Sequence, residues 1–192
     1  MTRFFAFCTG NTCRSPTFAA ALQLLLRMQD PYAVVESAMY PGSSSKPCIR
    51  HPLVADALVE CFARNGAPFQ VDADAIERAR AELSVRVSRS FHEVSAGLSS
   101  DCVMVSFDKK HDTALRTWAD TMSRRPREFV LVDIPDAAYD QWVYLERPGD
   151  RSTPAGMHAF EGYVCQARVL AVTAARVAGL SLEFHVLADR GK

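Results

Sequence analysis

The chain has 192 residues, 48% of them hydrophobic and 23% charged, which suffices for one well-buried core and a single domain spanning 1–192. Its 22 lysines and arginines cancel its 22 aspartates and glutamates, which argues against the broad basic field that draws proteins to nucleic acid or anionic lipid. No apolar run approaches the roughly 18 residues of a membrane span, and the stretch Phe4 to Phe7 is too short for a signal-peptide core, so a cytoplasmic location is expected.

In chain order, short β-rich runs alternate with longer helical patterns, which predicts a parallel sheet covered by helices. "RFFAF" (Arg3 to Phe7) reads as a fully buried first strand. From Pro16 to Met28, Phe18, Leu22, Leu25 and Leu26 recur at helical spacing, with the proline in the first turn. "YAVVESA" (Tyr32 to Ala38) is a second strand, ended by the turn signal Pro41-Gly42. A second helix follows Pro52 and stops at Asn65-Gly66, and "DADAIERARAEL" predicts a third, capped by Asp72 or Asp74. "CVMVSF" (Cys102 to Phe107) and "FVLVDI" (Phe129 to Ile134) are apolar strands, linked by a helix within Asp108 to Thr121. Asp136 to Thr153 reads as a long loop. Ser152 or Thr153 with Pro154 opens the last helix, which Gly179 ends; "LEFHVL" beyond it suits either a strand or a packed tail.

The chemistry concentrates in "FCTGNTCRSP", Phe7 to Pro16. A turn between a buried parallel strand and a helix lies at the carboxyl edge of the sheet, where open α/β folds bind ligands. Its backbone N–H groups have no ladder partners, so they can converge on an anion, and the helix N-terminus adds positive potential. That field attracts phosphate and favours a thiolate at Cys8 over a thiol. Arg14 can grip two phosphate oxygens with its planar fork, which lysine cannot. Gly10 and Asn11 are the residue types that most readily take a left-handed backbone and turn amides inward, and Ser15 can donate to the Cys8 sulfur. The six cysteines (Cys8, Cys13, Cys48, Cys61, Cys102, Cys165) are too scattered for a disulfide framework, and free thiols are expected. No CxxC, HExxH or zinc-type Cys/His spacing occurs, so neither a metal nor another cofactor is expected. The five histidines, His51, His92, His111, His158 and His185, show no site-like spacing and read as surface or cap residues.

"CTGNTCRSP" resembles the phosphate-binding loop of the low-molecular-weight protein tyrosine phosphatase family, a CX5R loop near the N-terminus paired with a late catalytic aspartate. The resemblance implies a three-layer α/β sandwich: a central four-stranded parallel sheet flanked by helices, with the phosphate loop after strand 1. It implies Cys8 as nucleophile, forming a phosphocysteine, and Arg14 with the loop Thr9, Gly10, Asn11, Thr12, Cys13 and Ser15 as the phosphate cradle. Cys13 matches the second loop cysteine, which in the family forms a reversible disulfide with the nucleophile. The family's acid lies in an Asp-Pro segment after the fourth strand, matched here by "VDIPDAAYDQW". That makes Asp136 the first choice, with Ala137 in place of the expected proline; Asp133 and Asp140 follow, and Asp150 is more remote. "ESAMYPG" is similar to the second-strand segment whose serine holds the loop asparagine, which points to Ser37 supporting Asn11. Relative to the family, residues near 42–87 and 137–153 look inserted, and Tyr40, Tyr139 and Trp142 are candidates for the pocket rim.

Phosphorylated protein is the partner this resemblance implies, with phosphotyrosine ranked first. Thr12 keeps phosphoarginine as an alternative: the family often has an aliphatic residue at this position in tyrosine phosphatases and threonine in arginine phosphatases. A related arsenate reductase chemistry needs further paired cysteines, which Cys48, Cys61, Cys102 and Cys165 do not form. A non-catalytic phosphate-binding module is the remaining alternative, because the acid segment departs from the family pattern.

Overall fold

A computed structural model describes residues 3–30, 32–45, 52–65, 71–85, 88–122, 125–134 and 150–179. The elements run β1 (Arg3–Cys8), α1 (Arg14–Arg27), β2 (Val34–Met39), α2 (Pro52–Asn65), α3 (Ala73–Val85), α4 (Phe91–Ser95), β3 (Cys102–Ser106), α5 (Lys109–Ala119), β4 (Glu128–Leu131) and α6 (Pro154–Val177). The four strands form one parallel sheet in the order β2-β1-β3-β4, with Phe5 opposite Glu36 on one side and Met104 on the other. The expected fold class is the observed one.

Alternation along β1 divides the core into two layers. Ala6 and Cys8 face a cluster built with Phe18, Leu22, Leu58, Leu170 and Ala174, which seats α1, α2, α3 and α6 on that side. Phe5 and Phe7 face the opposite cluster of Tyr40, Phe91, Val94 and Leu115, covered by α4 and α5. Among the described residues no helix is long and apolar enough to cross a membrane.

Three sequence expectations shift. The first helix starts at Arg14, two residues before Pro16, because Arg14 and Ser15 are already helical and buried in the loop they serve. The fourth strand ends at Leu131 rather than Ile134, and as an edge strand it leaves Glu128 and Leu131 exposed. The short helix α4 was not expected from its length; it is held by a capping box in which Ser90 and Glu93 satisfy each other's orphan donors. The stretch 42–87, expected as an insertion, contains α2 and α3. The run "LEFHVL" lies outside the described residues.

The order of the strands sets the site. The chain leaves β1 toward β2 on one side, and the connection from β2 crosses past β1 to β3 on the other, so the carboxyl ends of β1 and β3 flank a switch point, the place where α/β sheets open a binding crevice. Cys8 ends β1 and Asp108 follows β3.

Candidate active site

Cys8 is buried at the last position of β1, and its Sγ lies 3.0 Å from Ser15 Oγ. A directed chain of hydrogen bonds leads to that sulfur. The Arg89 N–H donates to Asn11 Oδ1 at 3.0 Å, and Asn11 Nδ2 donates to Ser15 Oγ at 3.0 Å. The Ser15 hydroxyl, which accepts from Asn11, can donate its proton to the sulfur. Such a chain polarises in one direction and stabilises negative charge at its end.

Arg89 is fixed in turn by β2. The Met39 N–H donates to the Arg89 carbonyl at 2.8 Å, and Glu36 takes the Arg89 guanidinium at 2.7 Å and Arg3 at 2.9 Å. Asn11 is therefore held by Arg89 and Ser15. Ser37 is buried on β2 and makes no hydrogen bond to Asn11, so the expected serine support is supplied by a backbone amide instead.

Asn11 is fully buried and takes φ 50°, the left-handed conformation. Gly10 does not share it, contrary to expectation; its lack of a side chain serves a close approach, since a Cβ there would stand 3.3 Å from Thr12 Oγ1. Among the described residues, the backbone N–H groups of Thr9, Gly10, Asn11 and Thr12 donate to no acceptor. Consecutive uncommitted amide donors before a helix N-terminus are the kind of arrangement that can receive an anion. Thr12 is half-buried, and its hydroxyl has no partner among the described residues.

Arg14 is buried, with Nη1 donating to the Ile134 carbonyl at 3.1 Å and lying 3.7 Å from Asp108 Oδ2. The guanidinium is thus anchored to the exit of β4 and faces a counter-charge after β3. Cys13 occupies the N-cap position of α1, and its thiol donates to Gln166 Oε1 on α6 at 2.8 Å. Cys8, Cys13, Cys61, Cys102 and Cys165 are all free thiols.

Asp136, the expected acid, lies outside the described residues, as do Asp140, Tyr139 and Trp142. Asp133 is exposed just beyond β4. Asp150 is committed to the turn before α6, where the hydroxyl and N–H of Ser152 hold its carboxyl below the usual carboxylate range. Tyr40, expected at the rim, is buried against His111, with ring centroids 4.7 Å apart.

Besides Arg89, two residues that sequence reasoning passed over join the site. Asp108 caps α5 through its Oδ1, which accepts from the His111 N–H at 2.9 Å. His111, read as a surface or cap residue, is wholly buried, with Nε2 2.9 Å from Thr9 Oγ1. Burial pushes its pKa down to about 4, the nearby Asp108 opposes that shift, and Arg14 and Lys110 add to it. The available signal was an aspartate placed directly after an apolar strand, which caps the next helix at the sheet's carboxyl edge.

No protein-family model matches the chain, and no curated protein matches it by sequence. Solved structures do. A low-molecular-weight protein tyrosine phosphatase from T. tengcongensis is 17% identical with a TM-score of 0.53, covering 93% of this chain and 99% of its own. An arginine phosphatase from Drosophila is 16% identical with a TM-score of 0.53, covering 92% and 97%. An arsenate reductase in its phosphate-binding state is 14% identical with a TM-score of 0.53, covering 93% and 98%. Sheet order, the cysteine at the end of β1 and the arginine opening α1 thus occur in a chain with the low-molecular-weight protein tyrosine phosphatase fold.

Proposed function

We propose that the protein is a cysteine-dependent phosphatase acting on phosphorylated protein, with phosphotyrosine as the first substrate class. The observation that carries this is the buried Cys8 sulfur at the end of a hydrogen-bond chain through Ser15 and Asn11, followed in the same loop by four uncommitted amides and the buried Arg14. The Cys8 thiolate attacks phosphorus in line, the S–P bond forms as the P–O bond to the leaving group breaks, and the amides and Arg14 hold the equatorial oxygens. Ser15 stabilises the sulfur when water later displaces it from phosphorus.

The leaving oxygen needs a proton, and Asp136 is the candidate donor. Two residues of chain span at most about 7 Å, and Ile134 is already bonded to Arg14 through its carbonyl. Asp136 thus follows closely in the chain on the carbonyl that anchors Arg14, which supports it as the candidate. Phosphoarginine is a second reading, supported by the Thr12 hydroxyl, which lacks a partner among the described residues, and by the arginine phosphatase among the similar folds. There the scissile bond is P–N and the same acid protonates nitrogen.

Hydrolysis of p-nitrophenyl phosphate tests the proposal. Cys8→Ser is expected to abolish turnover, and Asp136→Ala to lower kcat by about 10²-fold or more with little change in KM. Full turnover by the Cys8→Ser protein would refute it. Phosphotyrosine and phosphoarginine peptides assayed side by side separate the two substrates; in the second case Thr12→Ile is expected to depress the phosphoarginine rate selectively.

A further inference from the structure

We propose that His111 is a positioning residue of the phosphate loop, which fixes the Thr9 hydroxyl and, through it, the backbone turn that follows the nucleophile. This rests on reading residues 8–14 as the phosphate-binding loop.

Burying an imidazole costs free energy that leucine or phenylalanine at the same place would not incur, unless its nitrogens meet partners. Here Nε2 meets Thr9 Oγ1 at 2.9 Å, and Nδ1 lies 3.1 Å from Asp108 Oδ2 as an ion-pair contact without a hydrogen bond. That carboxylate selects the tautomer. A lone pair on Nδ1 would repel it, so the proton resides on Nδ1, and Nε2 is left to accept the Thr9 hydroxyl. The same Asp108 carboxyl faces Arg14 and caps the helix that carries His111.

Thr9 is thereby pinned on two sides. Its hydroxyl is held from α5, and its carbonyl accepts Ser43 Oγ at 2.7 Å. Ser43 is placed by a tight turn in which its N–H donates to the Tyr40 carbonyl at 3.2 Å, with Pro41 and the positive φ of Gly42 at the two corners. The Tyr40 ring packs on the imidazole, with centroids 4.7 Å apart, and Lys110 Nζ stands over the Tyr40 ring, 5.4 Å from its centroid. Thr9 carries the first of the four uncommitted amides, so its orientation sets where that run of donors begins.

The test uses binding of inorganic phosphate to the full chain by calorimetry, which needs no turnover. Thr9→Val keeps the shape and deletes the hydroxyl, while Thr9→Ser keeps the hydroxyl. Thr9→Val and His111→Ala are each expected to weaken phosphate binding about tenfold, with no further loss when combined, and Thr9→Ser to bind within about twofold of the unaltered chain. Wild-type affinity in Thr9→Val, equal loss in Thr9→Ser, or losses that multiply in the double variant would each overturn the role of His111. An unaltered chain that binds no phosphate overturns the loop reading itself and the present proposal with it. If His111→Ala does not fold, the Thr9 pair alone decides.

Discussion

Asn11 combines a left-handed backbone, complete burial and two hydrogen bonds, and each feature constrains its replacement differently. Asn11→Ala leaves the Arg89 N–H without an acceptor and keeps a Cβ at positive φ, so a loss of about 2–3 kcal/mol is expected in urea denaturation. Asn11→Gly removes the backbone strain but not the lost bonds, and should recover only part of that loss. His111 makes stability depend on pH. Its folded pKa of about 4 lies below the ordinary 6.5, so between those values the unfolded chain binds a proton that the folded chain refuses. Stability from this group is complete above pH 6.5 and falls as the pH drops toward 4, by up to about 3 kcal/mol. His111→Gln should flatten the stability profile across that window.

At the level of elements, α5 and α6 each start from a side-chain cap that can be tested by itself. For α5, Asp108→Asn keeps a capping oxygen whereas Asp108→Ala deletes it; the alanine variant should cost about 1 kcal/mol more in thermal or urea unfolding. For α6, Thr153 accepts from the Gly156 N–H at 3.0 Å, and a Cβ on Gly156 would stand 1.8 Å from the Asp150 carbonyl oxygen. Gly156→Ala must therefore displace the turn at 150–153, and a loss above about 2 kcal/mol is expected. Strands and long helices were readable from the chain because buried parallel strands are unbroken apolar runs and α1, α2 and α6 repeat at 3.6 residues. The helix α4 is only five residues long and lacks a period, although its Ser90-x-x-Glu93 box was there to be read. The end of β4 was overestimated because Val132 and Ile134 are apolar and buried without belonging to the strand.

For the molecule as a whole, the layer that carries α1 is tied to the exit of β3 by an aromatic contact. Phe18 of α1 and Phe107 after β3 pack edge to face with centroids 5.4 Å apart and are both fully buried. Phe107→Ala is expected to cost about 3–5 kcal/mol and to lower the denaturation midpoint without altering the slope. The phosphate loop was legible because its residues are contiguous. Asp108, His111 and Arg89 were not, since their relation to Cys8 exists only once β3 lies beside β1 and residues 88–90 lie along β2. A solitary histidine carries no spacing that distinguishes a buried partner from a solvated one.

Arg14 leans on the carbonyl of Ile134, a group that every amino acid possesses. Exchange of the side chain at 134 therefore leaves that prop intact, whereas inserting or removing one residue between Leu131 and Ile134 would carry the oxygen out of register. For this prop, it is the length of the segment and not its letters that counts.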